Sequence, residues 1–360
     1  MRYSVAALIL SAAFLLTGCA SWLDGDYVSV KLHAGQNSGK DQQSASVVSN
    51  YQQIRTALAE LVYRGVESGM LTVEGMDSDY VRSNMELAVD HVMQNDPICA
   101  YAVGDMTYEI GTAGGLSAVA VNISYRHGST QIQRIKQVGD MEEAKELIGA
   151  ILRQCGDSLV VQIENYEDTD FNQLVRSFAD ENPAYVMEMP TVTANVYPEK
   201  GAQRVVELLL FYQSSPESLR SMQGYVQPVF SASSLYVSGE DAQRVKFAQL
   251  YSFLMERNDY QLETSITPVY SLLRYGVGDS KAFSVVYAAM CRRAGLECMS
   301  VAGTRKGEPW FWNIICQDGV YYHVDLLQSH AAGTYRTMKD GEMAGYVWDY
   351  SSYPACGVAP

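Results

Sequence analysis

The sequence predicts an α+β protein, and three of its features point to that class. Stretches with apolar residues at helical spacing alternate with short apolar runs of strand length. Near the C-terminus, Asp318-Gly319 separates two apolar runs, which is a strong signal for a β-hairpin. A chain of 360 residues is long enough for two domains, so we expect helices packed on antiparallel sheets in two parts.

Composition excludes several classes of protein. Apolar residues make up 48% of the chain and charged residues 19%, which is the balance of a folded protein rather than a disordered one. The formal net charge is −15, and binding of a polyanion needs a concentrated basic surface. We therefore expect no nucleic-acid partner.

The N-terminus has the pattern of a targeting segment. Arg2 precedes an apolar run over residues 5–16, which is too short for a permanent membrane span. The run ends in Leu16-Thr17-Gly18-Cys19, which resembles the lipobox of bacterial lipoproteins. That resemblance implies a signal peptide over residues 1–18 and a lipid on the Cys19 thiol. A polar tether over residues 19–50 would then hold the protein outside a bacterial membrane.

Residues 51–240 predict an α+β domain that contains two related units. Helical stretches over residues 80–93 and 171–180 end in Asn-Asp-Pro and Glu-Asn-Pro, and strand-like runs follow each of them. A helical stretch over residues 141–152 is expected to close the first unit. The interpretation is a tandem duplication that divides at about residues 155 and 156, with chance similarity of common elements as the alternative.

The cysteines and acidic residues predict neither a metal site nor a cofactor. No pair of cysteines has the CxxC spacing, and no His, Asp or Glu cluster has the spacing of metal ligands. Apart from Cys19, six cysteines remain, and their pairing in an exported protein stays open. They are Cys99, Cys155, Cys291, Cys298, Cys316 and Cys356.

Residues 241–360 carry the most informative pattern. Residues 241–258 and 281–293 have helical periodicity, and Ala294-Gly295 ends the second helix. Strand-like runs follow over residues 298–302, 310–316 and 320–325. The order is therefore a helix that begins just after a Gly-rich turn, followed by an antiparallel sheet.

This order resembles the transglutaminase-like superfamily, which shares the papain-like fold. The matching segments are Gly276-Val-Gly278-Asp-Ser280, Arg293-Ala-Gly-Leu-Glu-Cys298, Trp310-Phe-Trp-Asn313 and Tyr321-Tyr-His-Val-Asp325. In that family a Cys begins the helix, a His stands on the following strand, and an Asp orients the His. The resemblance implies a papain-like domain over residues 241–360.

Two of the three catalytic positions are replaced. Ser280 stands at the Cys position and Trp310 at the His position, while Asp325 matches the family. The chemistry needs a thiolate beside an imidazole, and an indole N–H can only donate. We therefore expect an inactive domain, in which Ser280 is an N-cap of its helix. The alternative is a hydrolase or acyl transferase that uses Ser280 as nucleophile and His323 as base.

Aromatic residues suggest what an inactive cleft would do. Trp310, Trp312, Asn313 and Tyr322 are the expected ligand-binding residues, with core packing as the alternative for many aromatic side chains. The expected function is a lipid-anchored envelope protein whose C-terminal domain binds a peptide, a cell-wall fragment or an envelope protein.

Overall fold

The computed structural model describes residues 45–113, 116–262 and 265–358. The first unit holds a four-stranded sheet in the order β1-β2-β4-β3, with β1 and β2 parallel and the other pairs antiparallel. Its elements are β1 (Ala45–Val48), α1 (Tyr51–Tyr63), β2 (Ser68–Val73), α2 (Ser78–Asn95), α3 (Pro97–Ala102), β3 (Val103–Ala113), β4 (Leu116–Tyr125) and α4 (Ser129–Ile132).

The second unit has the same arrangement of strands. Its sheet order is β5-β6-β8-β7, again with one parallel pair, β5 and β6, and two antiparallel pairs. Its elements are β5 (Lys136–Asp140), α5 (Met141–Arg153), β6 (Ser158–Asn165), α6 (Phe171–Glu181), β7 (Thr191–Tyr197) and β8 (Arg204–Phe211). Helix α7 (Pro216–Leu235) follows and packs in the core of the C-terminal part. The shared topology agrees with a duplicated unit, although a duplication of the sequence itself stays a prediction.

The boundary between the units differs from the expected one. Helix α5 packs on the second sheet, where Ile148 and Leu152 lie in one buried cluster with Val161 and Leu208. The sheets therefore divide between α4 and β5, near residue 134, rather than at residue 155. Helical periodicity located α5 correctly but could not tell which of two neighbouring sheets would cover its apolar face.

Polar side chains cap the helices and explain where they begin. Asp96 accepts a hydrogen bond from the Cys99 amide at 2.9 Å, and Pro97 occupies the first position of α3. The Asn-Asp-Pro segment therefore ends α2 and also begins α3, which the sequence pattern did not predict. Asp140 caps α5 in the same way, through the amides of Glu142 and Glu143.

The C-terminal part consists of helices on an antiparallel sheet in the order β13-β12-β11-β14. The expected hairpin is present, because Gln317 pairs with Val320 across Asp318 and Gly319. Both turn residues have positive φ, as a tight two-residue hairpin requires. The elements are α8 (Gln243–Met255), β9 (Asp259–Tyr260), α9 (Pro268–Tyr275), β10 (Val277–Gly278), α10 (Ser280–Arg293), β11 (Cys298–Arg305), β12 (Glu308–Gln317), β13 (Val320–Val324), α11 (Leu326–Ala331) and β14 (Tyr346–Trp348), with short 3₁₀ turns at Asp340–Glu342 and Tyr350–Ser352.

This C-terminal sheet is covered on both faces. Ile315 and Val324 point into a core shared with helices α7, α8 and α10. Trp312 and Ile314, which alternate with Ile315 along β12, point into a second core with Trp348. Side chains two residues apart on β12 therefore share a face, and this alternation decides which groups can reach α10.

The first 44 residues lie outside the described part of the chain, and with them the expected signal peptide, Cys19 and most of the expected tether. Residues 45–48, which the tether was expected to include, form strand β1 instead, paired with β2. Residues 44–360 pack as one unit. Among the described residues, no helix is long and apolar enough to span a membrane.

Candidate functional site

The position of the family nucleophile lies at the start of helix α10. Asp279 is the N-cap of this helix, and its carboxylate accepts a hydrogen bond from the Ala282 amide at 2.8 Å. Ser280 is consequently the first helical residue and not the cap, so the expectation for its role was wrong. The reason is local, because an Asp with extended backbone directly precedes the helix and its carboxylate takes that place.

The Ser280 hydroxyl is nearly buried, and within the described part of the chain no base is hydrogen-bonded to it. The side chain is 7% exposed, and its Oγ accepts a hydrogen bond from the Phe311 backbone amide at 3.2 Å. Among the described residues, that amide is the hydrogen-bond partner of the hydroxyl. An alcohol becomes a nucleophile only when a general base takes its proton, and an amide N–H cannot do so.

Trp310 forms the hydrogen bond that a catalytic base would form in the family. Its indole Nε1 donates to Oδ2 of Asp325 at 2.7 Å. Asp325 follows the last residue of β13 and is 1% exposed. The indole therefore stands at the position of the family imidazole and is bonded to the same carboxylate. Unlike an imidazole, it has no nitrogen lone pair available to accept a proton.

Two more donors complete the surroundings of the Asp325 carboxylate. Tyr346 donates its hydroxyl to Oδ2 at 2.6 Å, and the Gln328 amide donates to Oδ1 at 2.9 Å as Asp325 caps α11. Burial and the Asp325 carboxylate raise the pKa of Tyr346 well above its usual value, so its hydroxyl stays protonated. The guanidinium of Arg305 lies 5.6 Å from the centre of the Trp310 ring and 5.7 Å from that of Tyr346. We call these five residues the Asp325 cluster.

His323, the alternative base, is committed to a different network. It is fully buried, and its Nδ1 accepts from the indole Nε1 of Trp312 at 3.0 Å. Because an indole only donates, this contact assigns the proton of the neutral ring to Nε2, which donates to Asp340 Oδ1 at 2.9 Å. Burial lowers the pKa of His323, and the Asp340 carboxylate offsets part of that effect. Both ring nitrogens are thus engaged, and neither is bonded to Ser280.

Cys356 joins His323 and Asp340, so that a thiol, an imidazole and a carboxylate lie within 4.8 Å of one another. The sequence spacing did not predict this group. It does not fit a bound metal, because coordination at Nε2 with Nδ1 still accepting from Trp312 would require an imidazolate. It also differs from a relocated catalytic triad, because His323 does not bridge Cys356 and Asp340 through its two nitrogens. Burial and the Asp340 carboxylate raise the pKa of Cys356 to about 12, which keeps it a thiol.

Two of the expected ligand-binding residues are inside the protein. Trp312 is 1% exposed and Asn313 is fully buried, with its amide donating to the backbone oxygen of Ser284 at 2.9 Å. These two residues hold the sheet and helix together, so the expectation that they face a ligand needs correction. Tyr322 is partly buried against the helical core. Trp310 is the expected ligand-binding residue that combines partial exposure with a place at the family site.

Tyr260 is a site residue that sequence reasoning missed. Strand β9 pairs in parallel with β10, so that Tyr260 lies opposite Gly278, just before helix α10. The side chain is 47% exposed, and its ring centre is 5.6 Å from that of Trp310. On the other side of the helix start, Lys281 Nζ lies 5.7 Å from the centre of the partly exposed Phe311 ring and pairs with Asp180 at 2.9 Å. Tyr260 and Trp310 together form an aromatic surface at the start of α10, whereas Phe311, the next residue on β12, points to the other face of that strand.

A cavity of about 350 Å³ also reaches the start of α10, where Asp279, Lys281 and Ala282 line it. It lies between α6 and the start of α10, and its wall includes Val186, Met187, Ile266 and Val285. Glu188 also lines it, but this buried carboxylate accepts the amides of Gln213 and Ser214 at 2.5 and 3.1 Å. Four further charged side chains also line it, so that the wall combines apolar and charged groups: Arg176, Asp180, Asp279 and Lys281.

Comparisons with known proteins agree with this architecture. Residues 232–340 match the family model of the transglutaminase-like superfamily, and the C-terminal part is a transglutaminase-like domain. Structural neighbours include a transglutaminase (12% identity, TM-score 0.26), with 47% of this chain covered and 51% of that one. They also include calcium-bound LapG of Legionella pneumophila (9% identity, TM-score 0.27), with 41% of this chain covered and 87% of that one. This chain thus spans about half of the transglutaminase structure. No curated protein matches it.

The lowered pKa of His323 predicts a loss of stability in mild acid. The unfolded chain binds a proton near pH 6.5, whereas the folded ring resists it to lower pH. His323 therefore contributes stability above pH 6.5 that is lost as the pH falls toward its folded pKa. NMR titration of the histidine ring signals should give His323 a pKa below 6.5, and urea unfolding of wild type should show the loss. A His323 signal that titrates at or above 6.5 would contradict the network.

Proposed function

We propose that the chain is a lipid-anchored envelope protein whose transglutaminase-like domain binds a peptide without cleaving or modifying it. The observation that carries the proposal is the hydrogen bond from Trp310 Nε1 to Asp325 Oδ2 at 2.7 Å. In an active member of the family the carboxylate orients a base. Here it orients a ring that can stack on a ligand but cannot move a proton.

The surroundings of Ser280 support the non-catalytic part of the proposal. The helix N-terminus favours an anion, but this effect is worth about 0.3–1 kcal/mol at an exposed helix end. That is far too little to ionise an alcohol at neutral pH. Nucleophile and base act as a unit, so that losing either removes most of the catalytic advantage. The hydroxyl instead accepts the Phe311 amide and helps to hold β12 against the start of α10.

The aromatic surface supports the binding part. Tyr260 and Trp310 place two partly exposed rings 5.6 Å apart at the helix start, and the cavity that reaches the same helix start has room for side chains of a ligand. Rigid aromatic groups beside an apolar pocket are typical of sites that anchor a polypeptide. The peptide class is favoured over a cell-wall sugar because apolar side chains such as Val186 and Val285 line much of the cavity.

A comparison of wild type with Ser280→Ala tests whether the domain is catalytic. Residues 44–360 should hydrolyse neither amide nor ester substrates above the uncatalysed rate, and the variant should be indistinguishable. The reason is the missing base. A wild-type turnover that disappears in Ser280→Ala would overturn the proposal and favour the alternative, a hydrolase with Ser280 as nucleophile.

Peptide binding can be tested with two matched tyrosine variants. Peptides are selected from a random library on wild-type residues 44–360, and their affinities are measured by calorimetry. Tyr260→Ala should weaken binding at least tenfold, which is about 1.4 kcal/mol, because it removes a ring beside Trp310. Tyr275→Ala, at a 67% exposed tyrosine that contacts Tyr270 rather than Trp310, should leave the affinity unchanged. Equal effects of both variants, or no selected peptide, would contradict the binding site.

The anchor rests on the lipobox pattern that ends in Cys19. Replacement of Cys19 by Ala removes the thiol that would carry the lipid, so the chain should lose fatty-acid labelling and leave the detergent phase. A Cys99→Ala chain is the matched control, because that cysteine is buried within the first unit. Unchanged fatty-acid labelling of the Cys19→Ala chain would show that the lipid is attached to a different residue.

A further inference from the structure

Strand β7 is an unprotected sheet edge in the second unit. It pairs with β8 on one side, and within the described chain its backbone forms no hydrogen bond on the other side. An edge of this kind offers a row of free N–H and C=O groups to another strand. The seven residues Thr191–Tyr197 include no charged side chain and no proline.

The other edges of the described four-stranded sheets are protected. Strand β3 carries Asp105 and Glu109, and β5 carries Lys136 and Asp140. Met338 exchanges two backbone hydrogen bonds with His323 on the outer side of β13. The remaining two edges, β1 and β14, have four and three residues. Charge, cover and short length are the usual devices against edge pairing, and β7 has none of them within its length.

The sequence around β7 has the symmetry that self-pairing requires. Residues 190–198 read Pro-Thr-Val-Thr-Ala-Asn-Val-Tyr-Pro. Counted outward from Ala194 in either direction, the order is a polar residue, a valine, a residue with a hydroxyl group and a proline. An antiparallel strand from a second copy, centred on Ala194, would place valine opposite valine and proline opposite proline. Thr193 would face the partner's Asn195, so polar residues also meet. A two-fold axis always brings the same surface of both copies together.

The side chains of β7 leave room for such a partner. Val192 and Val196 pack only partly into the core of the second unit, and Ala194 between them is exposed. The ring of Tyr197 contacts Tyr101 and Arg126 of the first unit, which holds that end of the strand in place. A second strand would cover the partly exposed valines and satisfy the free backbone groups.

We propose that the occupant of this edge is a second copy of the chain, and that two β7 strands pair antiparallel about Ala194 to join two four-stranded sheets into one. The pairing lies away from the Asp325 cluster and does not depend on the proposed peptide site. It makes the protein a symmetric dimer.

Sedimentation analysis of residues 44–360 at about 100 μM tests the proposal. Wild type should sediment as a dimer. Ala194→Lys should sediment as a monomer, because the axis places the two new charges directly opposite each other. Thr107→Lys, the same charge change at an exposed position of edge strand β3, should remain a dimer. A monomeric wild type, or a dimer that persists in Ala194→Lys, would overturn the proposal.

A charge-swap experiment identifies the symmetry. Ala194→Glu alone should also be a monomer for the same reason as Ala194→Lys. An equal mixture of the two variants should restore a dimer that contains one copy of each, because opposite charges then meet on the axis. Failure of the mixture to associate while wild type dimerises would show that another surface, or another register, forms the dimer. As a control for folding, both variants should unfold in urea with the same free energy as wild type at a concentration low enough for wild type to be monomeric. We expect this because Ala194 is exposed.

Discussion

The buried carboxylate of Asp325 is the group on which the C-terminal domain depends most. A charge this deep in a protein is tolerated only with several donors, and here Trp310, Tyr346 and the Gln328 amide supply three. Each donor comes from a different element, namely β12, the start of β14 and α11. Removing any one of these donors would leave the other two to stabilise the buried carboxylate. A tryptophan at position 310 supplies the N–H that a histidine would supply there, so the carboxylate keeps its third donor.

This requirement accounts for the residue at the catalytic position. An aliphatic or acidic side chain at position 310 would leave Asp325 short of a donor or place a second charge beside it. A tryptophan keeps the donor and gives up proton transfer, and the neighbouring guanidinium of Arg305 lies over its ring. The donor to Asp325 is therefore kept at this position without an imidazole. The Phe311 amide, bonded to the Ser280 hydroxyl, connects the same strand to α10.

Local patterns predicted the elements well because their causes are local. The Asp318-Gly319 turn depends on backbone conformations that these two residues adopt readily, and α10 depends on periodicity over its own residues. Contacts between distant segments were not predictable in this way. Tyr260 reaches Trp310 only because a two-residue strand pairs beside α10. The network of Trp312, His323 and Asp340 joins three segments, and the burial of Trp312 depends on the cover that Trp348 supplies.

Two rings that each donate an N–H to a carboxylate therefore lie on this sheet. One is the Trp310 indole with Asp325, and the other is the His323 imidazole with Asp340. At the position of the family's histidine, the indole of Trp310 donates to the Asp325 carboxylate and offers no nitrogen that can accept a proton. One strand further, the imidazole of His323 accepts from Trp312, donates to Asp340 and contacts the Trp348 ring, and neither of its nitrogens is bonded to Ser280. The two carboxylates, Asp325 and Asp340, are both satisfied by donors that the fold supplies. At the start of α10 the described chain presents two partly exposed aromatic rings and a cavity, groups that are suited to contact with a ligand.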